Sequence, residues 1–319
     1  MFLCVSLNPA IDKRVRLARL QRGRVNRVME VTPAPGGKAA HVAMVLRTLG
    51  VDPLWLGFAG GATGTALVEG LNVSSIRAEA VATANATRMN LEILETDGTV
   101  TEILEPGQPV TSEELERLRH CFELALRGSA GKMTAILSGS LPPGVPEDYY
   151  ATLIELGHQC GNRVFVDTSG EPLRQALKAR PDFVKPNQEE AGWLSGRVID
   201  GPASAGNALK MIIRDGASAG AISLGSSGLV WQGAKDGRML FAKAPEIVVR
   251  STVGSGDSTL AGFAFAENQG LEPAESLRLA AACGAANCLA EGPGHARAGD
   301  IARLQKEIQV EILQQSARG

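Results

Sequence analysis

Two kinds of apolar pattern alternate along the chain. Short, nearly unbroken apolar runs at 54–59, 135–138, 163–167, 183–185 and 219–224 suit parallel strands buried on both faces, and 1–7 reads as a first strand of the same kind. Between them, 38–49, 111–127, 146–160, 171–179 and 203–214 carry apolar positions at helical spacing. The segment Thr111-Ser112-Glu113-Glu114 places a hydroxyl and a carboxylate three residues apart, the arrangement that caps a helix start reciprocally. This alternation predicts an α/β fold, with a mostly parallel central sheet flanked by helices.

Two stretches break the rhythm. Residues 12–34 mix apolar and basic positions around Gly23, and residues 77–104 alternate through Met89, Leu91 and Ile93 with a turn at Asp97-Gly98. Both read as antiparallel strands outside the main sheet, a small β-strand lid on a single domain spanning 1–319. Edge strands of the main sheet are the alternative arrangement.

Composition narrows the class without naming an activity. The 319 residues, 44% hydrophobic and 21% charged with 37 glycines, describe a globular α/β chain rich in tight turns. A net charge of −2 supplies no long-range attraction for nucleic acid. No apolar run approaches the ~20 residues that span a bilayer, so no membrane partner is expected. The five cysteines are odd in number and widely spaced, as free thiols of a cytoplasmic protein would be.

The chemistry concentrates at glycine-rich turns. In Gly254-Ser255-Gly256-Asp257 the glycines allow a tight turn whose N–H groups face an anion, and the apolar residues from Leu260 onward read as the helix that follows. A carboxylate beside a phosphate site repels the phosphate, which makes Asp257 a candidate general base; helix capping is its other reading. Pro35-Gly36-Gly37-Lys38 opens a second helix but lacks Walker A spacing. Thr259 stands where a GxGxxG fingerprint needs its third glycine, which removes the best support for a nicotinamide-dependent oxidoreductase. Lys185-Pro186-Asn187-Gln188-Glu189-Glu190 follows a strand, at the sheet edge where such folds bind ligands, and its oxygen and amide groups suit Mg²⁺ held through water. Arg88 and Ser140 suit a phosphate, and Asp12 suits sugar hydroxyls or a turn.

Together, Asn8-Pro9-Ala10-Ile11-Asp12, Thr87-Arg88-Met89-Asn90, Ser138–Gly144, Asp167-Thr168-Ser169-Gly170, Val184–Asn187 with Glu190, and Thr252–Gly262 make the chain similar to the PfkB carbohydrate kinases of the ribokinase superfamily. The resemblance is greatest to the branch of 1-phosphofructokinase, 6-phosphofructokinase II and tagatose-6-phosphate kinase, and it implies a ribokinase-like fold whose lid serves a homodimer. It implies transfer of the γ-phosphoryl group of ATP to a ketohexose phosphate. Gly254, Ser255, Gly256 and Asp257 would be catalytic, with Asp12, Arg24, Gly37, Lys38, His41, Arg88 and Ser140 at the sugar phosphate. Lys185, Asn187, Ser223, Gly225, Gly228 and Asn287 would meet ATP, and Glu190 would place Mg²⁺ through water. Carbonyls near Ser251 and Val253 would serve a monovalent cation, as in some relatives. One position departs from the family: His41 stands where relatives carry a sugar-binding asparagine, which implies either an unusual sugar or an equivalent hydrogen bond. The rival readings are a kinase of an unphosphorylated sugar or nucleoside on the same fold, and a non-catalytic sugar-phosphate or nucleotide sensor.

Overall fold

The computed structural model describes residues 1–234 and 237–313; residues 235–236 and 314–319, within the expected 1–319 domain, lie outside the described residues. In chain order come β1 (Phe2–Ser6), β2 (Ala10–Leu17), β3 (Glu30–Gly36), α1 (Lys38–Thr48), β4 (Leu54–Ala59), α2 (Gly61–Val73), β5 (Arg77–Ala82), β6 (Arg88–Glu95) and β7 (Val100–Leu104). Next are α3 (Ser112–Gly128), β8 (Thr134–Ser138), α4 (Tyr149–Gln159), β9 (Arg163–Asp167), α5 (Gly170–Lys178), β10 (Phe183–Val184), α6 (Gln188–Ser195) and α7 (Pro202–Arg214). The remainder is β11 (Ala219–Ser223), β12 (Gly228–Gln232), β13 (Met239–Lys243), α8 (Ser255–Asn268), α9 (Pro273–Leu289), α10 (Ala298–Glu307) and β14 (Val310–Ile312).

A ten-stranded sheet runs β14-β13-β12-β11-β10-β9-β8-β1-β4-β5. It is parallel from β5 to β11 and antiparallel over the last three strands. Its central strands are apolar on both faces because each face meets helices. On β8, Ile136 joins the core shared with α1, α8 and α9, while Ala135 and Leu137 join the core beneath α3, α4 and α7. Phe165 and Phe183 stack at 4.9 Å, and Phe183 meets Phe263 at 4.8 Å, which fixes α8 against β9 and β10. The reciprocal cap at Thr111 and Glu114 forms as the sequence predicts. Among the described residues no helix is long and apolar enough to cross a membrane.

The lid is a separate four-stranded sheet, β3-β2-β6-β7. Two details differ from the expectation. Residues 77–82 belong to the main sheet as edge strand β5, parallel to β4, not to the lid. Their half-covered pattern, with Val81 buried and Arg77 and Glu79 exposed, suits an edge as well as it suits a lid, so alternation alone does not separate the two. Within the lid, moreover, β2 and β6 pair in parallel, and only the β2–β3 and β6–β7 pairs are antiparallel.

Candidate active site

The first turn of α8 is built by Gly254, whose φ of 78° is left-handed and whose added Cβ would stand 2.7 Å from that of Pro293. The helix starts at Ser255, earlier than the apolar run from Leu260 suggests, so Asp257 lies inside the first turn and is not its cap. First-turn N–H groups lack intrahelical partners and carry the positive end of the helix dipole, which makes this turn an anion cradle. Its braces are internal. Ser255 Oγ donates to the carbonyl of Gly284 at 3.2 Å, and Asn287 Nδ2 donates to the carbonyl of Val253 at 2.7 Å. Asn287 Oδ1 accepts from the N–H of Gly294 at 2.8 Å, and the side chain is 1% exposed. Asn287, expected at ATP, is therefore a strut under the cradle and does not line the cleft.

The cradle opens into a cavity of about 1210 Å³ between the sheet edge and the lid. Gly254, Ser255, Gly256, Asp257, Asp12, Gly37, Lys38, His41, Arg88, Ser140, Lys185, Asn187, Glu190, Ser223, Gly225 and Gly228 all line it. Arg24 does not; it is exposed in the turn that follows β2.

At the lid end, His41 bridges two carboxylates. Its Nδ1 lies 2.8 Å from Asp257 Oδ2 and its Nε2 lies 2.9 Å from Asp12 Oδ2. Burial alone would depress the imidazole, but the bonds to Asp12 and Asp257, reinforced by their charges, lift its pKa to about 10. Burial likewise opposes ionisation of Asp12, yet the bond and charge of His41, with Asn90 and the backbone of Gly37, hold its carboxyl below the ordinary value. Asn90 Nδ2 donates to Asp12 Oδ1 at 2.8 Å, leaving Asn90 Oδ1 buried without a partner. Arg88 donates to the carbonyls of Glu105 at 2.6 Å and Asn8 at 3.1 Å, and its Nε has no partner. Asn8 Nδ2 donates to Ser140 Oγ at 3.0 Å.

At the sheet edge, the pattern inverts. Asp167 bridges Lys38 at 3.1 Å and Lys185 at 3.3 Å. Burial opposes its ionisation, but the charges of Lys185 and Lys38 hold its carboxyl below the ordinary value. Lys185 Nζ lies 3.1 Å from where a Cβ on Gly256 would stand, so its charge faces the cradle. Asn187 and Glu190 cap α6 reciprocally, Asn187 Oδ1 accepting from the Glu190 N–H at 2.8 Å and Glu190 Oε2 from the Asn187 N–H at 2.9 Å. The cap uses one carboxylate oxygen of Glu190. Among the described residues no group of three or more His, Cys, Asp or Glu gathers to hold a metal. The second carboxylate oxygen of Glu190, not used by the cap, belongs to a residue that lines the cavity.

Sequence reasoning missed the link between lid and cradle. Arg14 donates to Glu92 Oε2 at 2.9 and 2.8 Å, and Ser251 Oγ donates to Glu92 Oε1 at 3.1 Å. The signal was present: Arg88, Asn90 and Glu92 are two apart on β6 and share one face. Glu102, paired with Glu92 across the lid, has its carboxyl pushed up by burial and by the charges of Glu92 and Asp12.

A carboxylate in the first turn of a helix whose N-terminus favours anions, facing a cleft with two lysines, is an arrangement for moving a phosphoryl group onto a hydroxyl. The family of pfkB carbohydrate kinases matches residues 5–298. The chain belongs to that family. Solved structures of similar proteins include phosphofructokinase-2 of Escherichia coli, at 27% identity with TM-score 0.88, covering 96% of this chain and 98% of that one. A Staphylococcus aureus protein provisionally assigned as a phosphofructokinase is 29% identical, with TM-score 0.82 and coverage of 99% and 100%. A Thermotoga maritima protein provisionally assigned as a 1-phosphofructokinase shares the fold at 24% identity, TM-score 0.86 and coverage of 98% and 99%. This pfkB kinase thus has a ribokinase-like fold and stands structurally close to the phosphofructokinases.

Proposed function

We propose that this carbohydrate kinase uses ATP and Mg²⁺ to phosphorylate a hydroxymethyl group of a ketohexose phosphate: fructose 1-phosphate, fructose 6-phosphate or tagatose 6-phosphate. The observation that carries the reading is Asp257 in the first turn of α8, beside unpartnered N–H groups, in one cavity with Arg88 and the lysine cluster. Asp257 accepts the hydroxyl proton as the oxygen bonds to the γ-phosphorus and the bond from that phosphorus to the ADP oxygen breaks. The backbone N–H groups of Gly256 and Asp257 hold the charge that develops on the transferred group. Lys38 and Lys185 draw the polyphosphate to the cradle, and Asn187, Ser223, Gly225 and Gly228 form the wall for the nucleotide. Bound ATP would supply the phosphoryl group, and Mg²⁺ would neutralise part of its charge, with Glu190 as the residue that would hold the ion through water. Carbonyls near Ser251 and Val253 are candidates for a monovalent cation, a role supported by the structure of E. coli phosphofructokinase-2 in complex with potassium.

Asp12, Asn90 and Gly37 receive sugar hydroxyls, while Arg88 and Ser140, which line the same cavity, hold the existing phosphate. Crystals of E. coli phosphofructokinase-2 in complex with fructose 6-phosphate support this class of acceptor. The lid joins two copies of the chain, as its exposed Met29, Val31, Ile103 and Leu104 favour. One observation favours the rival kinase of an unphosphorylated sugar: both terminal nitrogens of Arg88 already donate to backbone carbonyls. ADP release measured over a panel of ketohexoses and their phosphates decides between them. Specificity constants at least about 10-fold higher for a phosphorylated acceptor are expected; equal constants for fructose and its phosphates overturn the reading. Absence of ADP release with every sugar would return the chain to a sensor.

A further inference from the structure

His41 contacts a carboxylate with each ring nitrogen, at 2.8 and 2.9 Å, and it is 5% exposed. A neutral imidazole has one N–H and one lone pair. It can donate to Asp257 or to Asp12, and its bare nitrogen then faces a carboxylate oxygen inside contact distance, lone pair to lone pair. A ring protonated on both nitrogens makes two charge-assisted hydrogen bonds instead, and its charge offsets the carboxylates on either side.

We propose that His41 is a positioning residue: as an imidazolium donating from both nitrogens it ties the sugar-site carboxylate of Asp12 to the base carboxylate of Asp257 and reserves Asp257 Oδ1 for the acceptor hydroxyl. The functional names given to Asp12 and Asp257 rest on the kinase reading above, whereas the tie itself rests on geometry alone. Three consequences follow from the contacts. Asp257 Oδ2 is occupied, so the incoming proton has one oxygen to meet. Asp12 is held at both oxygens, by His41 and by Asn90, so its remaining lone pairs point in fixed directions. The two carboxylates no longer repel each other across the cleft, and a sugar hydroxyl that displaces or strengthens the bond at Asp12 changes the bond that His41 gives to Asp257.

The surroundings favour the charged ring. Asp12 on β2 and Asp257 on α8 touch it, and Glu102 on β7 and Glu92 on β6 add negative charge nearby; the opposing cations are Lys38 on the same helix, Arg14 on β2 and His295 in the segment packed over α1. His295 is driven toward its neutral form, by burial first and then by His41 and Arg14.

The first test needs no substrate. In the full chain labelled with ¹⁵N-histidine, nitrogen–proton correlation spectra at pH 8 should show one histidine protonated at both ring nitrogens, with two slowly exchanging N–H groups, absent from His41→Gln. Asp12→Asn should shift the Nε2 signal most and Asp257→Asn the Nδ1 signal most, and the unaltered ring should titrate near pH 10. A His41 that titrates below pH 7, or that shows a single ring N–H at pH 8, overturns the proposal. The second test is kinetic. His41→Asn and His41→Gln, with ATP affinity by calorimetry as a check on folding, should lose on the order of 10–100-fold in kcat with a smaller change in KM. They should also lose the alkaline limb of the pH–rate profile. Retained kcat with an unchanged alkaline limb overturns the positioning role. Failure of every sugar in the ADP-release panel would remove the kinase reading while leaving the spectra to decide the tie.

Discussion

At one end of the cleft a ring cation sits between two carboxylates, Asp12 and Asp257; at the other a carboxylate, Asp167, sits between two ammonium groups, Lys38 and Lys185. Both are three-member charge chains in which a buried central group holds two outer ones. Their net signs are opposite. The first keeps negative charge where hydroxyl protons must go, and the second keeps positive charge where polyphosphate must come. A cleft of uniform sign would serve one substrate at the expense of the other. The difference also has a structural side: Asp167 ends a central strand of the main sheet, whereas Asp12 stands on the lid. The cationic cluster is centred on a core strand, and the anionic one joins the lid strand β2 to helices α1 and α8.

Removing the centre of the cationic chain should have the largest effect. Asp167→Ala leaves two ammonium groups without their counter-ion, one of them on a side chain only 4% exposed. A loss of about 3–5 kcal/mol in urea unfolding is expected, and unchanged stability would mean that the lysines do not need Asp167. Next comes Asp257→Asn, for which a fall in kcat of about 10²-fold or more, or about 2.7 kcal/mol, is expected with nucleotide affinity kept. Near-normal turnover would sink the base assignment. The third prediction is a sign. His41 is raised in the folded state, so the stability it contributes is full below its ordinary value of about 6.5 and fades as pH climbs through about 10. The stability difference between the unaltered chain and His41→Gln should therefore shrink from pH 6 to pH 10, and a gap that widens would contradict a charged ring. Asp12 runs the other way: its lowered value gives stability above the ordinary Asp range that is lost as pH falls through the folded value. The smallest effect should come from Glu92→Gln, which weakens the Arg14–Glu92–Ser251 link by about 0.5–1.5 kcal/mol. A thermal melt indistinguishable from the parent would show the link to be dispensable for stability.

The two ends of the cleft were unequally legible in the chain. Apolar runs flanked by helical spacing marked the strands around Asp167 and Lys185, since a strand buried on both faces has few alternatives. The glycines at 254 and 256 marked the cradle, the first because its left-handed backbone favours glycine and the second because Lys185 closes on the space a side chain would take. The lid was harder to read. Alternation is common to lid and edge strands, so residues 77–82 went to the wrong sheet, and nothing in local periodicity says that β6 will pair in parallel with β2. Asn287 reads as a ligand-binding amide or a strut with equal ease until both of its bonding partners are known. His41 announced itself only as an odd residue. That it spans two carboxylates from β2 and α8 is a fact of tertiary structure, joining positions 29 and 216 residues away.

The place of β1 in the main sheet bears on how the chain acquires its shape. This first strand is flanked by β4 and by β8, with Phe2 aligned to Thr134. During synthesis one edge of a largely apolar strand waits while more than a hundred residues are added, on the order of 10 s at common elongation rates. An unpaired apolar edge is a template for another chain. For that interval the nascent protein depends on whatever shields Phe2–Ser6, and the slowest folding step should be the arrival of β8.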